Sequence, residues 1–449
     1  MKNVSPEYDV VVVGGGTAGW VAAVSAARRG KKVILIERKG YPGGVLVSGL
    51  PILGFHDTTQ RQVVKGLAHE FVERLTAMGG ALGYHLSELW HASMVVLESA
   101  VAKTLLFEML TEAKVEILLY AQVVDALMEG SKCRGVVVQE KAQTRLILGK
   151  TFIDTSGDAL LAKFAGFPII IEKKQQPPTL IFRLENVNLI ELRNYLVQHP
   201  EDYVDWRMGS GFKVREEFIR NTQMFLIFPN LIKKVPTKGF YSPLINRFMF
   251  TVTPTGRGVV VNMLRAHSVD GLNSSSLSKA TQELYSNLLP LADFFKNNIP
   301  GFSHCYVCDS EPEIQLRETS RIEGEYTLTI NDILEKRTFP DTIAYGGYFI
   351  DVHHGTGSGG TWKLTEGAYG IPFRCLLPRG TENLLAAGRI ISGTREAAGS
   401  YRVMATCMAL GQAAGTAVSL ALDKGIPLRE IEATDLRNAL KSDNAVVDI

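Results

Sequence analysis

Residues 8–38, YDVVVVGGGTAGWVAAVSAARRGKKVILIER, decide the fold. Residues 9–13 are a β-branched run without alternation, as expected of a parallel strand buried on both faces. Gly14, Gly16 and Gly19 follow as G-x-G-x-x-G. Ala18, Val21, Ala22, Ser25 and Ala26 then recur at helical spacing, and Gly30 ends the helix. A second buried run at 33–36 closes on Glu37. Strand, glycine turn, helix, strand and acid stand in the order that dinucleotide binding needs.

Each part has a physical task. Gly14 permits the tight turn, Gly16 lets the backbone approach a pyrophosphate, and Gly19 lets the helix pack closely on the strand. The free N–H groups and positive dipole end of the helix face the phosphates. Glu37 can accept from both ribose hydroxyls of an adenosine, and its charge repels a 2′-phosphate. The N-terminal part is therefore expected to bind an ADP-containing dinucleotide other than NADP; FAD and NAD both remain open.

Around this unit the chain is ordinary. Its 449 residues suggest two or three domains, and its composition (46% hydrophobic, 21% charged) is that of a globular protein. A net charge of +2 gives no support to a nucleic-acid partner. The five cysteines are odd in number and scattered, which suits a reducing, cytoplasmic setting. Cys305-x-x-Cys308 has no second pair and no histidine at ligand spacing, so no metal site is expected. The N-terminus leads straight into the first strand, with no leader expected. Residues 403–422 imitate a membrane span and contain Gly411-x-x-x-Gly415. They are too rich in Ala, Gly, Thr and Ser for one, and read as a buried helix with no membrane partner.

Amphipathic helices are expected at 62–78 and 97–110, with short strands at 115–120, 123–128, 135–139 and 145–148 forming a core strand and a small antiparallel meander. Residues 150–158 read as a strand ending in a small-residue turn before a helix at 159–165. The polar, proline-ending EKKQQPP at 172–178 marks a boundary. Beyond it, strands at 179–184, 248–252 and 258–264 and a helix at 276–295 suggest an inserted unit. Residues 369–422 resume the first domain. This gives an α/β architecture: a Rossmann-like parallel-sheet domain (1–170 and 346–449) with a meander, plus an inserted α+β substrate or lid domain (171–345).

A second strand-turn-helix at 150–165 and a third glycine-rich turn before the late helix favour a long cofactor, FAD. The chain resembles the large family of FAD-dependent oxidoreductases with a glutathione-reductase-type fold, akin to fumarate-reductase flavoproteins. The resemblance rests on residues 9–38, on DTSGDALLAKFAG at 154–166, and on the stretches at 317–353 and 369–417. It implies that Gly14, Gly16, Thr17, Ala18 and Gly19 cradle the pyrophosphate and that Glu37, with Arg38 beside it, holds the adenosine ribose. Gly43, Gly44 and Val45 would pass near the flavin, and Val123 would face the adenine. Thr155, Gly157 and Asp158 correspond to the second flavin-binding turn. Gly388 and Arg389 would lie by the ribityl chain, although many members have an acid where Arg389 stands. Ser400, Arg402 and Val403 open a helix towards the flavin. The glycine turn also resembles that of flavin-dependent halogenases, but Trp20, Trp90, Trp206 and Trp362 are too dispersed for their W-x-W-x-I-P segment.

Flavin chemistry needs a substrate held over the ring and a proton managed beside it. His353, where the insert returns to the first domain, is the leading catalytic candidate, with His56 and Arg317 beside it. Arg321, Arg374 and Arg402 are further candidates for carboxylate binding. A disulfide reductase needs a cysteine pair that residues 40–60 lack, and the glycine cluster at 355–360 reads as a loop rather than a second nucleotide site. The expected function is an FAD-dependent dehydrogenase or reductase of a small organic substrate; the alternative is an electron-transfer flavoprotein subunit. The electron donor or acceptor is open, and a homodimer is the default state.

Overall fold

The computed structural model describes residues 5–86, 92–203, 215–226, 248–354 and 360–449. Trp90, Trp206 and most of the 355–360 glycine cluster lie outside them. Strand β1 (Tyr8–Val13), helix α1 (Gly19–Arg28) and strand β2 (Val33–Glu37) form the expected unit. β1 lies between β2 and strand Thr144–Asp154, parallel to both, and Glu116–Leu119 extends the sheet beyond β2. Leu384–Ala386 joins in parallel against Phe152–Asp154, so residues over 200 positions apart complete one seven-stranded sheet.

Residues 145–148 and 150–154, read as separate strands, are one. The first half of Thr144–Asp154 pairs antiparallel with Lys132–Gln139 in the meander, while its second half lies in the parallel core. Gly149 sits at the change-over, where a Cβ would come within 2.6 Å of the Val11 side chain. The helix expected from residue 62 begins at Leu67. Val63 and Val64 instead donate to the Phe55 carbonyl, and Gly66 has φ +62°, outside helical geometry. The helix expected at 276–295 is two, Ser274–Ser286 and Leu288–Asn298. Pro290 falls in the first turn of the second, where a missing N–H costs nothing.

Helix Met404–Lys424 has the length and mean hydropathy (1.4) of a membrane span, yet 83% of that window is buried inside the protein. Gly411 and Gly415 explain its fit. A Cβ on either would lie 2.2 or 2.3 Å from the carbonyl oxygens of Ala18 and Ala22, so the two glycines let this helix and α1 touch backbone to backbone.

A second core belongs to an antiparallel sheet ordered Met224–Leu226, Met249–Val252, Gly258–Arg265, Thr179–Glu185, Tyr306–Ser310. Phe225, Phe250, Phe295 and Phe302 form its aromatic centre. The chain leaves the first sheet through Ile169–Ile171 and returns through Ser320–Ile322, which pair antiparallel. After the return, Leu328, Ile333, Ile343 and Tyr345 pack into the same core as α1. A cavity lies between the two sheets.

Candidate active site

The cavity, about 350 Å³, begins at the glycine turn. Gly14 turns at φ +98° and donates to the Ile36 carbonyl at 2.8 Å. A Cβ on Gly19 would stand 1.9 Å from the Gly14 oxygen, whereas one on Gly16 would meet nothing within 4 Å. Gly19 therefore serves packing, and Gly16 presents bare main chain to the cavity. Glu37 is buried, and its two carboxylate oxygens accept from the N–H groups of Gly15 (2.7 Å) and Lys39 (2.8 Å). Each oxygen keeps a second lone pair for a ligand. Gly43 donates to Gly15 at 2.7 Å, which folds the Gly43-Gly44 loop onto the turn.

The second and third turns are stitched together by side chains. The Thr155 hydroxyl lies 2.6 Å from the Gly14 carbonyl and 3.0 Å from that of Val13. Arg389 donates to the carbonyls of Gly157 (2.7 Å) and Leu316 and to the carboxylate of Asp158 at 3.0 Å. Asp158 also accepts from the Thr319 hydroxyl at 2.6 Å. Arg389, standing where many members of the family have an acid, thus locks the turn to the segment that returns from the insert. Asp154, fully buried, accepts from Ser156 and Ala162 N–H groups, and burial raises its carboxyl pKa.

The far end of the cavity is walled by the inserted sheet. Strand Gly258–Arg265 carries a bulge opposite residues 180–182 of its neighbour. Val259, Val261 and Met263 alternate into the insert's core, and the bulge turns Leu264 inward as well. That phase shift aims both Asn262 and Arg265, three residues apart, at the cavity. His353 meets them from strand Ile350–His353. Its Nδ1 is 3.3 Å from an Arg265 nitrogen, and its Nε2 is 3.4 Å from Asp351. Burial holds its imidazole well below the usual range. The Gln176 side-chain oxygen accepts the His353 backbone N–H at 3.0 Å, while its amide donates to Glu318 at 2.9 Å. Arg317 donates to the Pro177 carbonyl and the Thr179 hydroxyl. Arg402 donates to the Asp351 carbonyl at 2.9 Å.

The cavity wall includes Gly14, Gly16, Thr17, Ala18, Glu37, Arg38, Gly44, Val45, Thr155, Gly157 and Asp158, and later Gly388, Arg389, Arg402 and Val403, together with Arg317 and His353. Gly19, Gly43, Val123 and Ser400 are not part of it. Ser400 is wholly buried, bonded to the Tyr348 carbonyl and within 2.7 Å of the Tyr369 hydroxyl. His56 is also off the wall, 3.0 Å from the Ser93 hydroxyl and edge-on to Tyr84, with burial lowering its pKa. Arg321 is buried against Glu172 and the Gly393 carbonyl, and Arg374 pairs with Asp341 on the outside. The residues missed from sequence are Asn262, Arg265, Asp351 and Gln176. One signal was available: VVVNMLR places two polar groups three apart in an otherwise apolar strand.

The wall fits a long dinucleotide. Three separate backbone turns face one cavity, Gly16 leaves room for a close approach, and buried Arg402 Nε and Asn262 Oδ1 have no partner among the described residues. Residues 9–440 match the family described as "FAD dependent oxidoreductase". The chain belongs to that family. As a family member it is an enzyme of the oxidoreductase class, with FAD as its cofactor.

Short stretches also resemble individual flavoproteins. A dihydrolipoyl dehydrogenase of Trypanosoma brucei brucei is 42% identical over 76 residues, 16% of this chain and 15% of that protein. A cinnamate reductase of Clostridium sporogenes is 60% identical over 49 residues (11% and 7%), and a urocanate reductase of Eggerthella lenta 47% over 49 (11% and 8%). These matches span at most 15% of those relatives' lengths. Among solved structures, a geranylgeranyl bacteriochlorophyll reductase-like protein of Thermoplasma acidophilum aligns over 99% of this chain and 84% of its own, at 13% identity and TM-score 0.47. The flavin-dependent brominase Bmp2 aligns over 98% and 84%, at 12% and 0.48.

Proposed function

We propose that this family member is a reductase or dehydrogenase of a small organic substrate, which binds between the cofactor and the inserted sheet. The observation that carries the reading is the single cavity running from the glycine turn to Asn262 and Arg265. Residues 14–19 and Glu37 would hold the adenosine diphosphate half of FAD. Thr155, Gly157, Asp158, Gly388 and Arg389 would meet its middle, and Val45 and the Val403–Met404 helix start its ring. Bound FAD supplies the two-electron redox chemistry. The helix start favours negative charge near it. Ile181, Met249 and Leu53 line the remaining space and exclude water, while Arg317 and Arg265 supply positive charge to orient a substrate. The names cinnamate reductase and urocanate reductase support the reductive direction.

The test is to purify the chain, record its flavin absorbance, reduce it anaerobically with dithionite, and screen small organic acceptors for reoxidation. Reoxidation by a small molecule is expected. A chain without flavin defeats the proposal. Reoxidation only through a co-purifying iron–sulfur or quinone-linked protein would replace it with the electron-transfer reading.

A further inference from the structure

Arg265 is the unusual cation of the cavity. Arg317 and Arg402 are tied to main-chain carbonyls, Arg389 to Asp158, and Arg38 to Glu313. Among the described residues, the one hydrogen-bond partner of Arg265 is the His353 imidazole, and no carboxylate lies within 4.0 Å of its guanidinium. Burial lowers its pKa, against the raising pull of the Asp351 charge, so it is a desolvated cation with no carboxylate at contact distance among the described residues. The fold has nevertheless built this position, because the bulge in Gly258–Arg265 rotates the side chain out of the insert's core and into the cavity.

The histidine beside it is fixed as well. A guanidinium only donates, so His353 Nδ1 accepts from Arg265, and the ring proton sits on Nε2, towards Asp351. Asp351 is held in turn by the Trp362 indole N–H at 2.8 Å, and the Trp362 ring packs edge-on to His353. Nδ1 is thereby occupied by Arg265, and Nε2 stands 3.4 Å from the Asp351 carboxylate.

We infer that Arg265 binds a carboxylate of the substrate and that His353, clamped between Arg265 and Asp351, is the residue that positions it. The inference rests on the proposed function, since it takes the substrate to lie in this cavity. A carboxylate is chosen because one open, planar guanidinium fork matches a planar monoanion. A phosphate, with more oxygens and nearly twice the charge, asks for more converging donors than one fork offers, and Arg317 Nη1 and Arg402 Nη2 are bonded to carbonyls. The apolar neighbours Ile181, Met249 and Leu53 suit the carbon skeleton of such an acid.

The experiment uses the FAD-loaded full chain and follows binding by calorimetry and by the flavin difference spectrum. The probes are benzoate and propionate, their neutral amides benzamide and propionamide, and inorganic phosphate. At least one carboxylate should bind saturably, and about tenfold more tightly than its amide and than phosphate. Arg265→Gln should weaken that binding by about tenfold with flavin content unchanged, and Arg265→Lys by about threefold, since a point charge replaces a fork. His353→Ala should weaken it about fivefold and His353→Asn should restore most of the loss, because an amide oxygen accepts where Nδ1 does. Amide or phosphate binding as tight as the carboxylates, no saturable carboxylate binding, or unchanged affinity in both Arg265 variants overturns the assignment. Asn performing no better than Ala overturns the positioning role. A chain that holds no flavin defeats the proposed function instead, and calorimetry on that flavin-free protein still scores carboxylate against amide and wild type against Arg265→Gln.

Discussion

The two ends of the cavity are built on opposite plans. The nucleotide end is main chain: the residues 14–19 turn, the Gly43-Gly44 loop and the start of α1 all lie within one short stretch, and their side chains are absent, small or turned inward. The substrate end is side chain: Arg265, Arg317, His353 and Arg402 arrive from four separate segments, each fixed by partners contributed by others. A main-chain site is vulnerable to added atoms, and a side-chain site to removed ones. This difference can be broken by substitution.

The largest effect should come from Gly19→Ala. Its Cβ would stand 1.9 Å from the Gly14 carbonyl oxygen, a backbone atom that cannot turn aside, and 2.7 Å from the Thr155 hydroxyl. Destabilisation of about 3 kcal/mol or more is expected, seen as a fall in denaturation midpoint together with loss of flavin. Gly16→Ala is the control, because its Cβ meets open space. It should leave the flavin-free fold as stable as wild type while stripping FAD. Equal melting of both variants would show that the turn is not divided into a packing glycine and an approach glycine.

The seam between the sheets comes next. Glu311, on the insert, is buried, and its pKa is raised to about 7 by desolvation, with Lys103 and Lys39 pulling the other way. Because the folded state holds this proton more tightly than the unfolded chain, stability should fall as pH rises from about 4.5 to 7 and level off above that. Glu311→Gln removes the ionisation and should raise stability at pH 8 by about 2 kcal/mol, with the gain vanishing near pH 4.5. Melting temperatures of both proteins across that range decide it; a gain that persists at low pH would assign the effect to something other than the carboxylate.

Arg389→Ala should cost less, about 1 kcal/mol, since the Arg389–Asp158 pair is about a quarter exposed. It should also speed flavin release, measured by dilution into excess apoprotein, because the second turn loses its tie to Leu316. Unchanged release would mean that the turn is held by Thr155 and Asp154 alone.

The same contrast explains what could be read from sequence. Backbone geometry demands glycine at stated places, so Gly14, Gly16, Gly19 and Gly411-x-x-x-Gly415 announce themselves by residue type. The paired strands 150–154 and 384–386 follow from buried apolar runs. Side-chain sites leave no such mark. Arg265 faces the cavity because of a bulge, and a bulge is a property of two strands together. His56 and His353 both look like proton carriers in sequence; packing sends one behind the wall towards Ser93 and Tyr84, and the other between Arg265 and Asp351. The helix start at Leu67 was hidden for a similar reason. Val63 and Val64 continue the apolar helical pattern, yet their N–H groups are taken by Phe55.

The smallest effect tests whether the two plans meet. Arg38 follows Glu37 on the nucleotide side, and its guanidinium grips Glu313 on the insert with two parallel hydrogen bonds, one at 2.7 Å; Lys39 adds a third contact at 3.2 Å. The geometry is bidentate, but the side chains are 55% and 37% exposed, so water screens the pair. A double-mutant cycle of Arg38→Ala and Glu313→Ala should give a coupling of about 0.5 kcal/mol that shrinks in high salt. Repeating the cycle with FAD bound sharpens the point. If the adenosine end is held by main chain and Glu37 alone, the coupling is the same with and without cofactor. A larger coupling in the FAD-bound protein would mean that this surface pair closes the insert over the nucleotide, and that the main-chain end of the cavity depends on a side-chain clasp after all.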